Sequence, residues 1–159
     1  MKTKNAIKTY TIKQALAKAE GYCAYQERCQ QEVRNKLYEW GLWQDDVEQV
    51  IAELITTNFL NEERFAKLFA GGKFRIKEWG KIKITAELKK RNISAFCIKS
   101  AMQEIPDSAY SHTIQKIIAE KEVALPKGNI LNRKYKIAQY LISRGFEANI
   151  VWAEIKEEF

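Results

Sequence analysis

Histidine is almost missing from this chain, and that scarcity removes much of the chemistry an enzyme needs. His112 stands alone. A His-dependent triad or a multi-His metal site therefore cannot be assembled within one chain, and His112 itself reads as a surface or capping residue. Cysteine is nearly as sparse. Cys23, Cys29 and Cys97 are odd in number and fall in neither a zinc-ribbon nor a CxxC spacing, the pattern of reduced thiols in a cytosolic protein. Only two prolines interrupt a sequence that is 46% apolar, a composition that suits a folded, non-fibrous protein. No apolar run is long enough to cross a bilayer, and none follows the N-terminal lysines as a signal peptide would require. The expectation is a cytoplasmic or nuclear chain with no membrane partner. Phosphate fingerprints are lacking too. "GGK" at Gly71 to Lys73 is followed by Phe74 and has no strand before it, so it is not a P-loop, and no dinucleotide motif occurs. The adjacent carboxylates Asp45 and Asp46 lie where a helix starts and complement its dipole. These absences leave no catalytic residue, no metal ligand and no cofactor to name: the chain reads as a binder.

What it does have is charge, mostly positive. Lys and Arg number 27 against 20 Asp and Glu, for a net +7, which favours an acidic partner such as nucleic acid. A length of 159 residues suits one domain or a few small modules sharing a core. The densest stretch is "GGKFRIKEWGKIKITAELKKR", Gly71 to Arg91, with eight basic residues against two acidic ones. Taken alone it is ambiguous in shape. "KFRIK" and "KIKIT" alternate like half-buried strands, whereas "ITAELKKR" has a helical pattern.

Internal repetition resolves the ambiguity. "EVRNKLYEWGLWQDDVEQVI", "KITAELKKRNISAFCIKSAM" and "YKIAQYLISRGFEANIVWAEI" align on Leu37, Leu88 and Leu141. Four residues before each leucine stands Val33, Ile84 or Ile137, and four after it Gly41, Asn92 or Gly145. Leu42, Ile93 and Phe146 come next, and Val47, Ile98 and Val151 follow in the same register. The apolar pairs form one stripe on a helix. Gly or Asn then supplies the left-handed residue that ends it, and Ser94 caps the next helix in the middle copy. A further helix precedes each pair: Ile12 to Ala24, Asn61 to about Lys77, and Asp107 to Ala124. In the second of these Phe65, Leu68, Phe69 and Ile76 recur at helical spacing, with Asn61 as the cap. "KIKIT" thus opens a helix, and Trp79-Gly80 is the break before it; Trp-Gly is also not a favoured hairpin turn. The predicted fold is all-α: three tandem three-helix repeats, helix-turn-helix-like, in an elongated, curved array. The expected bounds are a basic tail over 1–10 and repeats over 11–58, 59–105 and 106–159.

A helix-turn-helix that reads DNA would place the helix after the Gly in the major groove. Charge opposes this. "QDDVEQVIAEL" has four acidic residues and no basic one, and "EANIVWAEIKEEF" has four acidic against one basic; phosphates would repel both. Cations gather elsewhere: Lys2, Lys4, Lys8 and Lys13, then Lys73 to Arg91, then Arg133, Lys134, Lys136 and Arg144. That distribution suits a long surface lying along an extended partner. Of the tryptophans, Trp40, Trp43 and Trp152 are expected to close joints between helices. Trp79, with its basic neighbours, is the one placed to stack a base or anchor an interface.

The run from Phe59 to Ser94, "FLNEERFAKLFAGGKFRIKEWGKIKITAELKKRNIS", resembles the RecX family, bacterial regulators of the RecA recombinase. It has the family's Phe-[Ile/Leu]-Asx-[Asp/Glu]-x-Arg-Phe-Ala segment, a basic stretch with a Gly, and x-Glu-Leu-x-x-[Lys/Arg]-[Gly/Asn]-Ile. Upstream, "YQERCQQEVRNKLYEWG" is similar to the family's first repeat at Arg28, Glu32, Lys36, Leu37 and Gly41, with Cys29-Gln30 where Ser is usual and Val33 for Leu. "RKYKIAQYLISRGF" is similar to its last repeat. The resemblance implies a non-enzymatic modulator lying in the groove of the RecA–single-stranded DNA filament. It would curb strand exchange, ATP hydrolysis and co-protease activity in DNA repair and the SOS response. On that reading Lys73, Arg75, Lys77, Trp79, Lys81, Lys83, Lys89, Lys90 and Arg91 meet the filament or the DNA, and Arg133, Lys134 and Lys136 extend the surface. Arg64, Phe65 and Leu88 hold the repeats together. The expected partners are the RecA filament, single-stranded DNA and, weakly, duplex DNA, with the chain a monomer. The rival reading is a helix-turn-helix-like regulator that binds DNA directly, without RecA; an adaptor for another complex is a third class.

Overall fold

A computed structural model describes residues 10–158 of the chain. Among the described residues there are nine helices and no strand, an all-α repeat fold. The tail lysines Lys2, Lys4 and Lys8 lie outside the described residues.

The helices gather into two compact units. The first runs up to Phe65 and includes Arg91–Ile93. It holds α1 (Ile12–Tyr25), α2 (Gln30–Glu39), α3 (Gln44–Thr56) and the start of α4 (Glu62–Lys77). Thr11 opens α1 through a reciprocal capping box: its hydroxyl accepts from the Gln14 N–H at 3.2 Å, and the Gln14 side chain accepts from the Thr11 N–H at 3.0 Å. Alanines at Ala15 and Ala19 let α1 lie close to α2 and α3, around Val33, Leu37, Val47, Val50 and Leu54. Trp40 packs at the margin of this core, edge-on to Tyr10 and Tyr22. Asn58 turns left-handed after α3, and Asn61 then caps α4 by accepting from the Arg64 N–H at 2.9 Å. The Arg64 guanidinium reaches Glu27 at 2.8 Å and the Asn58 carbonyl at 3.1 Å. Its role is structural, as expected.

The second unit contains Ala66–Lys90 and the chain from Ser94 on. Besides the rest of α4 it holds α5 (Lys81–Lys90), α6 (Ala95–Gln103), α7 (Asp107–Ala124), α8 (Ile130–Ser143) and α9 (Ala148–Glu158). "KIKIT" is helical, and the reason lies in where its first amides go. The Gly80 and Ile82 N–H groups donate to the carbonyls of Arg144 and Gly145 at 2.9 and 3.0 Å. The Lys81 N–H donates to the Tyr110 hydroxyl at 3.0 Å. Helix N-termini leave such donors unsatisfied, and here the α8–α9 turn and α7 take them up. Gly80 is needed for this approach: a Cβ there would lie 2.2 Å from the Gly145 backbone.

The repeat register appears directly in the backbone. Gly41, Asn92 and Gly145 have φ of 90°, 57° and 96°, and Leu42, Ile93 and Phe146 after them are buried. Val33, Leu37, Ile84, Leu88, Ile137 and Leu141 are all fully buried. Ser94 caps α6 by accepting from the Cys97 N–H. The expected helix is there as α4, and one expectation, on Trp43, fails. On α4 the buried stripe is Phe65, Ala66, Ala70 and Phe74, while Leu68 and Ile76 are 55% and 80% exposed. The small alanines admit neighbouring helices where larger residues would hold them off. Trp43 is 77% exposed and closes no joint. It occupies the cap position before α3, and the inward place goes to its neighbour Leu42.

Candidate functional site

The basic stretch is laid over the last turn of α4, a three-residue break and α5. Arg75 and Lys77 end α4, where cations complement the helix dipole, and both are exposed. Glu78 then takes a left-handed conformation, φ 54°. This wraps the chain back, so that the Glu78 and Trp79 N–H groups donate to the Phe74 and Lys73 carbonyls at 3.1 and 3.2 Å. The Arg144 guanidinium donates to the Lys77 carbonyl, and the Glu78 carboxylate pairs with Lys116 at 3.4 Å. The break is held on every side.

Trp79 stands on that support, half-buried. The Lys83 ammonium lies 4.5 Å and the Lys73 ammonium 4.9 Å from its ring centroid, both within cation–π range. Lys73 also lies 5.4 Å from Phe69.

On α5 the cations divide between faces. At about 100° per residue, Lys83 and Lys90 share one side, while Lys89 falls beside Ile82 and Ala86. Lys81 and Lys89, with Ile82, Thr85, Ala86 and Glu147, border an open groove of about 380 Å³. Lys81 is half-buried, 3.9 Å from Asp107 and 4.8 Å from the Tyr110 ring. Lys90 pairs with Glu87 at 3.1 Å. Arg91 belongs to the first unit.

The remaining candidates differ in setting. Arg133 is turned inward: it donates to the Glu122 carbonyl, and its Nε is buried. Lys134 is half-buried and Lys136 exposed. Of the predicted set, then, the structure brings Lys73, Trp79 and Lys83 into one cluster, and gives Arg133 a place in the α7–α8 joint.

Sequence reasoning missed the carboxylates that build the second unit. The buried Tyr110 hydroxyl accepts from Lys81 and donates to Glu147. Burial first, and that carboxylate second, hold its proton well above the ordinary phenol range. Glu154 accepts from Ser111 and Gln115 on α7, the latter at 2.9 Å. In the first unit Glu48 of α3 is bound by Arg34 at 2.7 Å, which lowers its pKa. Glu48 and Glu154, one on each of two third helices, thus bond to a neighbouring helix within the chain. No local signal announces these pairs, since the partners lie 14 to 43 residues apart.

Similarity to known proteins runs along the same segments. Residues 15–54 match the model of the RecX first three-helix domain, and residues 61–102 that of the RecX second three-helix domain. The regulatory protein RecX of Prosthecochloris aestuarii is 28% identical over 145 residues, covering 91% of this chain and 93% of that protein. The regulatory protein RecX of Bacillus cytotoxicus is 26% identical over 157 residues, and there the chain spans 58% of its relative's length. Among solved structures, RecX from Lactobacillus salivarius superposes with a TM-score of 0.87 at 22% identity, over 92% of this chain and 96% of that one. A second crystal structure of regulatory protein RecX gives 0.79 at 20% identity, over 92% and 75% of the two chains. With both matched domains falling on the helix–stop–helix units described above, the chain belongs to the RecX family of regulatory proteins.

Proposed function

We propose that this chain is a non-enzymatic modulator of the RecA recombinase. It binds along the groove of the RecA–single-stranded DNA filament and inhibits ATP hydrolysis, strand exchange and co-protease activity. It acts as a monomer in the cytoplasm. The observation that carries the reading is the cation-rich α4–α5 segment in a chain of this family, combined with the third-helix carboxylates Glu48 and Glu154 bonded within the chain. A nucleoprotein filament presents acidic protein and phosphate side by side, and a surface with exposed Arg75, Lys77, Lys89 and Lys90 complements both. The carboxylates of Glu48 and Glu154 sit on the very helices that a direct major-groove reader would insert, which weighs against the rival.

The test is a RecA ATPase and strand-exchange assay with and without the protein. Both activities should fall with increasing protein, and unchanged rates would overturn the proposal. Lys81, Lys83, Lys89 and Lys90 replaced together by Glu should abolish inhibition while helicity is retained, with a lower melting temperature from the lost Lys81–Asp107 and Lys90–Glu87 pairs. Sequence-selective nanomolar binding to duplex without RecA would favour the rival.

A further inference from the structure

We propose that Trp79, with Lys73 and Lys83, is a stacking site for one base of a single-stranded nucleic acid, and gives the chain its own affinity for single strands. The inference deepens the filament reading and rests on it for the kind of polyanion concerned.

An aromatic ring is useful for stacking only if it is held still. The Trp79 backbone that carries the ring is fixed by its N–H donating to the Lys73 carbonyl, by the left-handed turn at Glu78, and by the Gly80 N–H donating to the Arg144 carbonyl in the α8–α9 turn. The Lys83 and Lys73 ammoniums lie against the indole, 4.5 and 4.9 Å from its centroid. A phosphate is a stronger partner for an ammonium than a ring quadrupole is. A strand passing the break would draw Lys73 and Lys83 onto its phosphates and leave indole surface for a base. Every base has a π-face, so such a site is indifferent to sequence. A stacked duplex offers no base to it, so it discriminates by strandedness.

The surroundings agree. The one acid at the break, Glu78, is paired with Lys116, while Arg75 and Lys77 stand exposed just before it. Trp43, far more exposed, is followed by Asp45 and Asp46 and lacks these cations, so exposure alone does not make a stacking site.

The experiment uses the full chain and a labelled oligothymidylate, with no recombinase present. Trp79→Ala should weaken binding about tenfold, and Trp79→Phe, which keeps a ring, by much less. Lys73→Glu/Lys83→Glu should weaken binding and flatten its salt dependence by about 0.7 per lysine. Lys99→Glu/Lys127→Glu makes the same change in net charge at exposed positions elsewhere and should have a far smaller effect. Equal losses in the two double variants would overturn the site in favour of diffuse attraction. So would wild-type affinity in a Trp79→Ala protein of unchanged melting temperature, or equal affinity of the wild type for duplex. Inhibition of RecA by a chain with no affinity for the oligothymidylate would sink this inference and leave the filament reading standing. Strand binding lost on Trp79→Ala, in a chain that never inhibits RecA, would do the reverse.

Discussion

At the scale of single residues, glycine shows that the same residue type can be indispensable or replaceable. Gly145 has a left-handed backbone, and a Cβ there would lie 2.3 Å from that of Lys83. At Gly80 the backbone is ordinary, but the added atom would meet Gly145 at 2.2 Å. Either change to Ala should cost about 2 kcal/mol or more, because neither side of the contact is a flexible chain end. Gly72 lies inside α4 with nothing within 4 Å of an added Cβ. Gly72→Ala should therefore stabilise the fold by about 0.5–1 kcal/mol, and thermal melts of the three variants check the contrast. Burial gives Cys23 a different signature. It pushes the thiol up to about 11 from the ordinary 9.0, against a smaller lowering by Arg28. The protonated form is the one the fold favours, so this contribution to stability is complete below pH 9.0. It is lost as pH rises through about 11, where the unfolded thiol has already ionised. Denaturant midpoints of wild type and Cys23→Ala should converge over that window.

At the scale of elements, α5 depends on partners that its own sequence does not contain. Its first amides are satisfied by the α8–α9 turn and by Tyr110. Tyr110→Phe keeps the ring between Phe74 and Phe146 but removes the acceptor for Lys81 and the donor to Glu147. The expected loss is about 1–3 kcal/mol, read as a lower melting temperature, with amide exchange at the start of α5 rising more than elsewhere. A loss spread evenly over all helices would mean the hydroxyl is not the anchor. This also explains which parts of the fold were legible. Val33, Ile84 and Ile137, with the Gly or Asn stop, form a local pattern that repeats, so helix register and the helical state of "KIKIT" follow from it. The exposure of Leu68, Ile76 and Trp43 does not follow from the local pattern, because it depends on which neighbour arrives, and that neighbour is distant in sequence. The candidate site divides the same way. A basic run around Trp79 is visible in the letters; its closure by Lys73 and Lys83, and the inward turn of Arg133, are not.

At the scale of the whole molecule, the net charge of +7 conceals a division of labour. Two acids of the third helices bond to neighbouring helices: Glu48 to Arg34 at the surface, and Glu154 to Ser111 and Gln115. Many cations of α4 and α5 stand at the surface. If the third helices entered a DNA groove, removing these carboxylates would relieve repulsion and raise duplex affinity. If they are internal bonding, removal costs stability and does little else. Glu154→Ala separates the two, with Glu157→Ala, an exposed acid on the same helix, as the charge-matched comparison. Glu154→Ala should lower stability by about 1–2 kcal/mol, since two hydrogen bonds to a carboxylate are lost. Glu157→Ala should stay within about 0.5 kcal/mol of wild type. Duplex affinity, followed by anisotropy across a salt series, should change equally and slightly in both, as a single added positive charge requires. A gain confined to Glu154→Ala would place α9 against DNA and turn the reading toward a direct binder.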